Sequence, residues 1–325
     1  MKEQILSFLP REYPWKDRLF VFPELDSTNN RLKVLASQGA PHGTVLIADR
    51  QTGGRGRMGR SFLSPPGVGI YMSILLRPKC APQELMHLTC AVAAAMCHAV
   101  ERAVHLRPGI KWTNDLVWGK QKLAGILTEM GLNSAGGVGW AIVGIGVNCC
   151  QRAEDFPPEI RDRACSLAMA AGREIDRCRV AAAMMEALWE MDASLFTGKK
   201  DMLRFYRENC VTLGKEISVV GAGEIRHGRA LDVDDEGALV VQFSDSRVEA
   251  VNAGEVSVRV CLKSSGFVFN LFPIYVLLFL TILVILCLYK KSPGGHCHEN
   301  IQCNCKSSGC SGCRCRRRLR CRYLR

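Results

Sequence analysis

Hydrophobic and polar positions divide the chain into stretches of different texture. Val45–Ala48 and Ile70–Leu76 are short apolar runs of strand length. Between the polar group Asp26-Ser27-Thr28-Asn29-Asn30 and Ser37, the run from Arg31 reads as a helix, and Asp, Ser and Thr ahead of it are ordinary N-cap residues. Pro82 opens a long alanine-rich helix over Gln83–Arg102, with Leu85, Leu88, Val92 and Met96 on one stripe. His87 and His98 on it read as packing or surface residues. Ile110–Leu116, Lys122–Leu127 and Trp140–Val147 each read as a strand with polar groups at or near an end, where α/β-type sheets gather ligands. Arg177–Phe196, capped by Asp176, and Asp201–Glu208 read as helices.

From Leu213 the period shortens. Glu216–Val220, Ile225–Val233, Ala238–Phe243, Val248–Val251 and Val256–Val260 are separated by Gly- and Asp-rich turns, which predicts a small closed β-barrel. Phe267–Tyr289 then runs 23 residues without a charge, enough to cross a bilayer as a helix. Residues 290–325 are rich in Gly, Ser, Cys and Arg and show no apolar period, so they form no packed core.

Charge changes the first impression. The net charge is +12, but ten Lys/Arg against one acid follow Tyr289, which leaves +3 for everything before it. A nearly neutral body removes the main support for a DNA-binding function. Eight cysteines are scattered up to Cys210 in no disulfide or metal spacing, as in a reducing cytosol, and seven crowd into Cys297–Cys321. Among the latter, Cys303-x-Cys305-x4-Cys310-x2-Cys313-x-Cys315 could bind Zn²⁺, but the ligands repeat no known structural spacing, which favours a compositional accident. Met1–Pro10 has a charged start without the long apolar run of a signal peptide.

The stretch with the most chemistry is Gly53-Gly54-Arg55-Gly56-Arg57-Met58-Gly59-Arg60. Glycine lets backbone amides approach a ligand, and arginine presents paired donors to phosphate or carboxylate oxygens. The loop therefore suits an anion. Gly54, Gly56 and Gly59 also fit G-x-G-x-x-G, but a dinucleotide fold wants an acid about twenty residues on, where Arg77-Pro78-Lys79 stands. The partner motifs of a kinase loop are missing.

Taken together, Asp26-Ser27-Thr28-Asn29, Gln51-Thr52 leading into Gly54-Arg55-Gly56-Arg57-x-Gly59-Arg60, Lys111-Trp112-x-Asn114-Asp115, Lys122-Leu123-Ala124-Gly125-Ile126-Leu127 and Gly144-Ile145-Gly146-Val147-Asn148 resemble the biotin–protein ligases in kind and order. The resemblance spans roughly Leu19–Val260. It implies an α+β fold, with a mixed-sheet catalytic domain like that of class II aminoacyl-tRNA synthetases over 1–211 and an SH3-like barrel over 212–262. The apolar run 267–289 and the tail 290–325 fall outside the family pattern. The implied reaction joins biotin and ATP into biotinyl-5′-adenylate, then passes biotin to a lysine of a biotin carboxyl carrier protein or domain, with Mg²⁺ accompanying ATP. By resemblance, Ser27, Thr28, Asn29 and Gln51 hold the ureido ring. Arg55, Gly56, Arg57 and Lys122 line the biotin carboxylate and the adenylate, with Arg57 and Lys122 as the catalytic cations. Gly54, Arg60, Asn114, Asp115 and Asn148 serve the nucleotide, Asn148 at the adenine and Asp115 orienting Mg²⁺ or a cationic partner.

Three positions depart from the family: Met58 for an arginine, Phe62 for a tryptophan, and Thr113 for a proline. About eighteen residues precede the match, so the family's DNA-binding repressor unit is not expected. A homodimer is compatible with the resemblance. Cytosolic ATP and carrier place the catalytic body in the cytoplasm, with membrane contact through 267–289 if that segment is an anchor. An interfacial hairpin and a frameshifted C-terminus stay open beside that reading. The competing functions are a lipoate or octanoate transferase of related fold, and a non-catalytic, membrane-tethered adenylate-binding protein.

Overall fold

The computed structural model describes residues 1–221, 224–252 and 255–258. After the N-terminal helix α1 (Lys2–Phe8) come β1 (Leu19–Leu25), α2 (Thr28–Ser37), β2 (Thr44–Gln51) and β3 (Gly69–Leu76). They are followed by α3 (Leu88–Val104), β4 (Gly109–Lys111), β5 (Asp115–Trp118), β6 (Gln121–Leu132) and β7 (Val138–Asn148). Two short helices, α4 (Pro158–Arg161) and α5 (Leu167–Ala171), lead to α6 (Arg177–Ser194) and α7 (Lys199–Asn209).

The seven strands form one sheet in the order β1-β2-β3-β7-β6-β5-β4. Only β1 and β2 are parallel, so the sheet is mixed. Pro23 lies in edge strand β1, where a residue lacking an N–H costs the ladder least.

Alternation along the strands gives the two faces different work. Val45 and Ile47 of β2, Ile70, Met72 and Ile74 of β3, and Ala141, Val143 and Ile145 of β7 enter the main core. That core also takes Val92 and Met96 of α3 and Met184 and Leu188 of α6. On the opposite face, Leu46, Leu75 and Ile142 pack under Leu32 and Ala36 of α2. Further along the same strands that second face carries Ser73, Gly144 and Gly146. It is the face that holds the cleft.

The single strand expected over Ile110–Leu116 is a hairpin instead, with Lys111 paired to Asp115. Tertiary bonds fix the turn. Trp112 N–H donates to Thr212 Oγ1 at 3.0 Å, and Asn114 Nδ2 donates to Ile126 O at 2.9 Å. The long helix expected from Gln83 resolves into a 3-10 turn over Pro82–Leu85 followed by α3. It ends on His105, which takes a left-handed conformation at φ 62°.

Five antiparallel strands follow: β8 (Glu216–Gly221), β9 (Glu224–Val233), β10 (Leu239–Phe243), β11 (Val248–Val251) and β12 (Glu255–Val258). Among the described residues their order is β11-β10-β9-β8-β12, a small antiparallel β domain where the sequence predicts a barrel. The turn before β10 docks on the larger sheet, where Trp112 Nε1 donates to Gly237 O at 3.0 Å. The apolar run 267–289 and the tail 290–325 lie outside the described residues. Among the described residues no helix is long and apolar enough to cross a membrane.

Candidate functional site

The cleft opens where the second face of the sheet emerges from under α2. It is lined by residues from six elements of the chain. Ser27, Thr28 and Asn29 come from the start of α2, and Gln51 from the end of β2. Arg55, Gly56, Arg57 and Phe62 come from the glycine loop, Asn114 from the β4–β5 turn, and Lys122, Gly125, Gly144 and Gly146 from β6 and β7.

The polar end is tightly bonded. Ser27 caps α2, its Oγ accepting from Asn30 N–H at 3.5 Å. Thr28 N–H donates to Gln51 Oε1 at 2.9 Å, and Gln51 Nε2 donates to Ser64 Oγ at 3.1 Å. Asn29 Nδ2 donates to Glu129 Oε2 at 2.8 Å. Ser73, fully buried in mid-β3, stands 2.7 Å from Thr28 Oγ1 and 2.6 Å from Asn29 Oδ1. A buried end made of neutral, satisfied hydrogen-bonding groups suits a polar heterocycle without charge.

The other end is cationic. Arg57 Nη1 donates to Asn114 Oδ1 at 2.9 Å, which ties the glycine loop to the hairpin turn. Within the loop, Gly56 N–H donates to Arg60 O at 2.7 Å, and Met58 and Gly59 both have left-handed backbones, at φ 56° and 73°. Lys122 Nζ lies 2.7 Å from Asp115 Oδ1. Lys122 is thus a cationic neighbour of Asp115.

Glycines keep the floor flat. A Cβ on Gly144 would stand 2.2 Å from Asn29 Oδ1, one on Gly146 would stand 2.5 Å from Phe62 Cε1, and one on Gly125 would stand 3.0 Å from Lys122 Nζ. Each glycine makes room for a cleft side chain lying across the sheet. Asn29 is pinned by Ser73 and Glu129 and cannot yield cheaply. Gly144→Ala is therefore expected to cost about 1–3 kcal/mol of overpacking, seen as a lowered Tm and a raised ligand KM.

Four expected residues do not line the cleft. Gly54 holds the base of the loop, where its missing Cβ spares a 2.5 Å clash with Phe62 O. Arg60 is exposed at the loop's far side. Asp115 stands behind Lys122. Asn148 is buried, its Nδ2 donating to Lys122 O at 3.3 Å and Cys165 O at 3.2 Å. Sequence reasoning passed over Ser73, Lys33 and Glu129. Each sits in an ordinary strand or helix pattern, and only packing sets Ser73 and Glu129 against Asn29 and Lys33 against Glu129.

Residues 21–148 match the biotin/lipoate A/B protein ligase family, and residues 212–259 match the biotin protein ligase C-terminal domain. The bifunctional ligase/repressor BirA of Bacillus subtilis is 36% identical over 222 residues, which cover 68% of each chain. This chain belongs to the biotin protein ligase family. Another member, the biotin–[acetyl-CoA-carboxylase] ligase of Mycobacterium tuberculosis, is 31% identical over 74% of this chain and 89% of its own. Among solved structures, the Aquifex aeolicus biotin protein ligase in complex with biotin and ATP superposes with a TM-score of 0.62. It is 31% identical, over 74% of this chain and 98% of that one. The family fold, a mixed sheet with helices and a small C-terminal β domain, is the one described above. The cleft residues fall within the first matched segment.

Proposed function

We propose that this protein is an ATP-dependent biotin–protein ligase. It activates biotin as biotinyl-5′-adenylate and transfers it to a lysine of a biotin carboxyl carrier protein or domain. The observation that carries this is the convergence of the neutral Ser27–Thr28–Asn29–Gln51 end and the cationic Arg55–Arg57–Lys122 end in one cleft, in a member of this family.

The two ends match the two parts of biotin. The ureido ring is neutral and directional, and it belongs with the short polar side chains. The carboxylate belongs with the cations, beside the α-phosphate of ATP. In the first step a carboxylate oxygen forms a bond to the α-phosphorus, the bond to the β-phosphate bridge breaks, and pyrophosphate leaves. Two anions meet in that step, and fixed cations lower its barrier without a covalent enzyme intermediate. Lys122, held in place by Asp115, and the Arg55 and Arg57 guanidinium groups supply that charge. In the second step a neutral lysine amine of the carrier attacks the acyl carbon, AMP leaves, and the amine loses a proton to solvent. The glycine loop, pinned through Arg57 to Asn114, keeps water from the adenylate.

Among the described residues no three His, Cys, Asp or Glu side chains converge, and Asp115 is engaged by Lys122. In this reading Mg²⁺ would accompany the phosphates of the nucleotide. The class II synthetase-like reading of residues 1–211 and the SH3-like reading of 212–262 belong to the same proposal, supported by the mixed sheet and the five-stranded sheet. A cytoplasmic catalytic body, near its ATP and carrier, belongs to it as well.

The test is direct. With ATP, Mg²⁺ and biotin, the full chain labels the lysine of a folded carrier domain, and with lipoate in place of biotin it does not. A chain ending at Leu262 keeps kcat and biotin KM within about twofold, because every residue assigned to the cleft precedes Cys149; tenfold would require 1.4 kcal/mol. An unlabelled carrier, or lipoate transfer in place of biotin, would refute the proposal.

A further inference from the structure

We propose that Lys111 binds the pyrophosphate end of ATP and steadies it as it leaves in the adenylation step. This rests on the biotin ligase reading above.

The register of the sheet sets Lys111 in line with the cleft. Cα partners run from Tyr71 of β3 to Gly146 of β7, Gly125 of β6, Asp115 of β5 and Lys111 of β4, one residue on each strand. Residues opposed in register share a face, and this row lies on the cleft face. A Cβ on Gly146 would meet the Phe62 ring, and one on Gly125 would stand 3.0 Å from Lys122 Nζ and 3.6 Å from Asp115 Oδ1. Ile110 and Leu116, the next opposed pair, enter the main core on the other face. Neighbouring strands lie about 4.8 Å apart, so Lys111 stands about 10 Å beyond Gly125 along the row.

The adenylation step gives that direction a meaning. Biotin lies with its ureido ring among Thr28, Asn29 and Gln51, on the β2–β3 side, and with its carboxylate beside Lys122, over β6. In phosphoryl transfer the attacking and leaving oxygens stand roughly in line through phosphorus. A carboxylate oxygen arriving from the β3 side bonds to the α-phosphorus, and the bond to the bridging oxygen breaks on the far side. The electron pair of that bond leaves with pyrophosphate, towards β5 and β4. On β5 the row presents Asp115, whose carboxylate is engaged by Lys122 at 2.7 Å. On β4 it presents Lys111, which is half-buried and, among the described residues, paired with no carboxylate. The acid opposite it in register is already taken. A half-buried ammonium without a counter-charge attracts an arriving anion, and the departing pyrophosphate is that anion.

Pyrophosphate takes part in only one of the two half-reactions, which separates a phosphate contact from a structural support. In the full-length protein, Lys111→Met should raise the pyrophosphate KM for ATP synthesis from biotinyl-5′-adenylate about tenfold, the effect of one lost charge-assisted contact, and lower kcat/KM for ATP by a similar factor. Transfer of biotin from preformed adenylate to the carrier involves no β- or γ-phosphate, and should stay within about twofold with Tm unchanged. Lys111→Arg keeps the charge and should give back most of the loss, to within about threefold of wild type. A pyrophosphate KM within twofold of wild type in Lys111→Met overturns the proposal. So does an equal loss in both half-reactions, which would make Lys111 a support of the β4–β5 hairpin. A wild-type protein that forms no adenylate overturns the ligase reading instead, so the two failures are distinguishable.

Discussion

Lys122→Ala is expected to slow adenylate formation by about 10²–10³-fold, the loss usual when one preorganised donor to a developing charge is removed. Lys122 begins at the start of β6, crosses the surface left open by Gly125, and is held 2.7 Å from Asp115. The Asn114 side chain is occupied by Arg57 and the Ile126 carbonyl. The arginines come from a loop, whereas Lys122 stands on strand β6 of the sheet, beside Asp115. Stability should change little, since the Lys122 side chain is 39% exposed. The measurement is ATP–pyrophosphate exchange dependent on biotin. Exchange within threefold of wild type, in a protein that binds both substrates, would remove Lys122 from the chemistry.

Arg57→Gly is expected to uncouple the two half-reactions. Arg57 carries the bond from the loop to Asn114, and Asn114 is itself bonded to the sheet. A charge-assisted hydrogen bond is worth about 1.5–3 kcal/mol, roughly a factor of 10 to 150 in retention of the adenylate. Adenylate should still form, then escape and acylate exposed lysines of bystander proteins. The release rate of radiolabelled adenylate, together with labelling of an added inert protein, measures the effect. Normal retention in a variant that makes adenylate at the wild-type rate would assign the closing contact to another residue. Because Lys122→Ala blocks synthesis and Arg57→Gly blocks retention, the double variant should label no bystanders.

Most of the strands and both long helices were legible in the sequence, and nine of the thirteen residues it singled out line the cleft. Local chemistry explains why. Apolar blocks such as Ile70–Leu76 are strands whatever lies around them, and Ser27 ahead of α2 caps it through its own hydroxyl. Glycines and arginines in one short run announce an anion-binding loop before its partner is known. The ordered motifs then pointed to the family that the comparisons bear out.

Other features were decided only by tertiary structure. Residues Ile110–Leu116 are apolar enough for one strand, but bonds from Thr212 and Ile126 turn them back as β4 and β5. The strand propensity of Leu19–Leu25 is broken by Pro23, and β1 exists because β2 offers it an edge. Glu129 and Ser73 are unremarkable in sequence, one a charge on a half-exposed strand and the other a hydroxyl in an apolar run. They meet Asn29 only because β6, β3 and α2 pack together. Asn148 and Asp115, polar residues at strand ends, share a face of the sheet with Gly146 and Gly125, but their side chains are taken up by the Lys122 carbonyl and the Lys122 ammonium. The sequence by itself determined which residues carry charge, hydrogen bonds and backbone freedom, since those are properties of single residues and their near neighbours. Which of them share a proton or face one cleft depends on contacts between segments about a hundred residues apart, such as Asn29 with Glu129, and such contacts leave no local pattern to read.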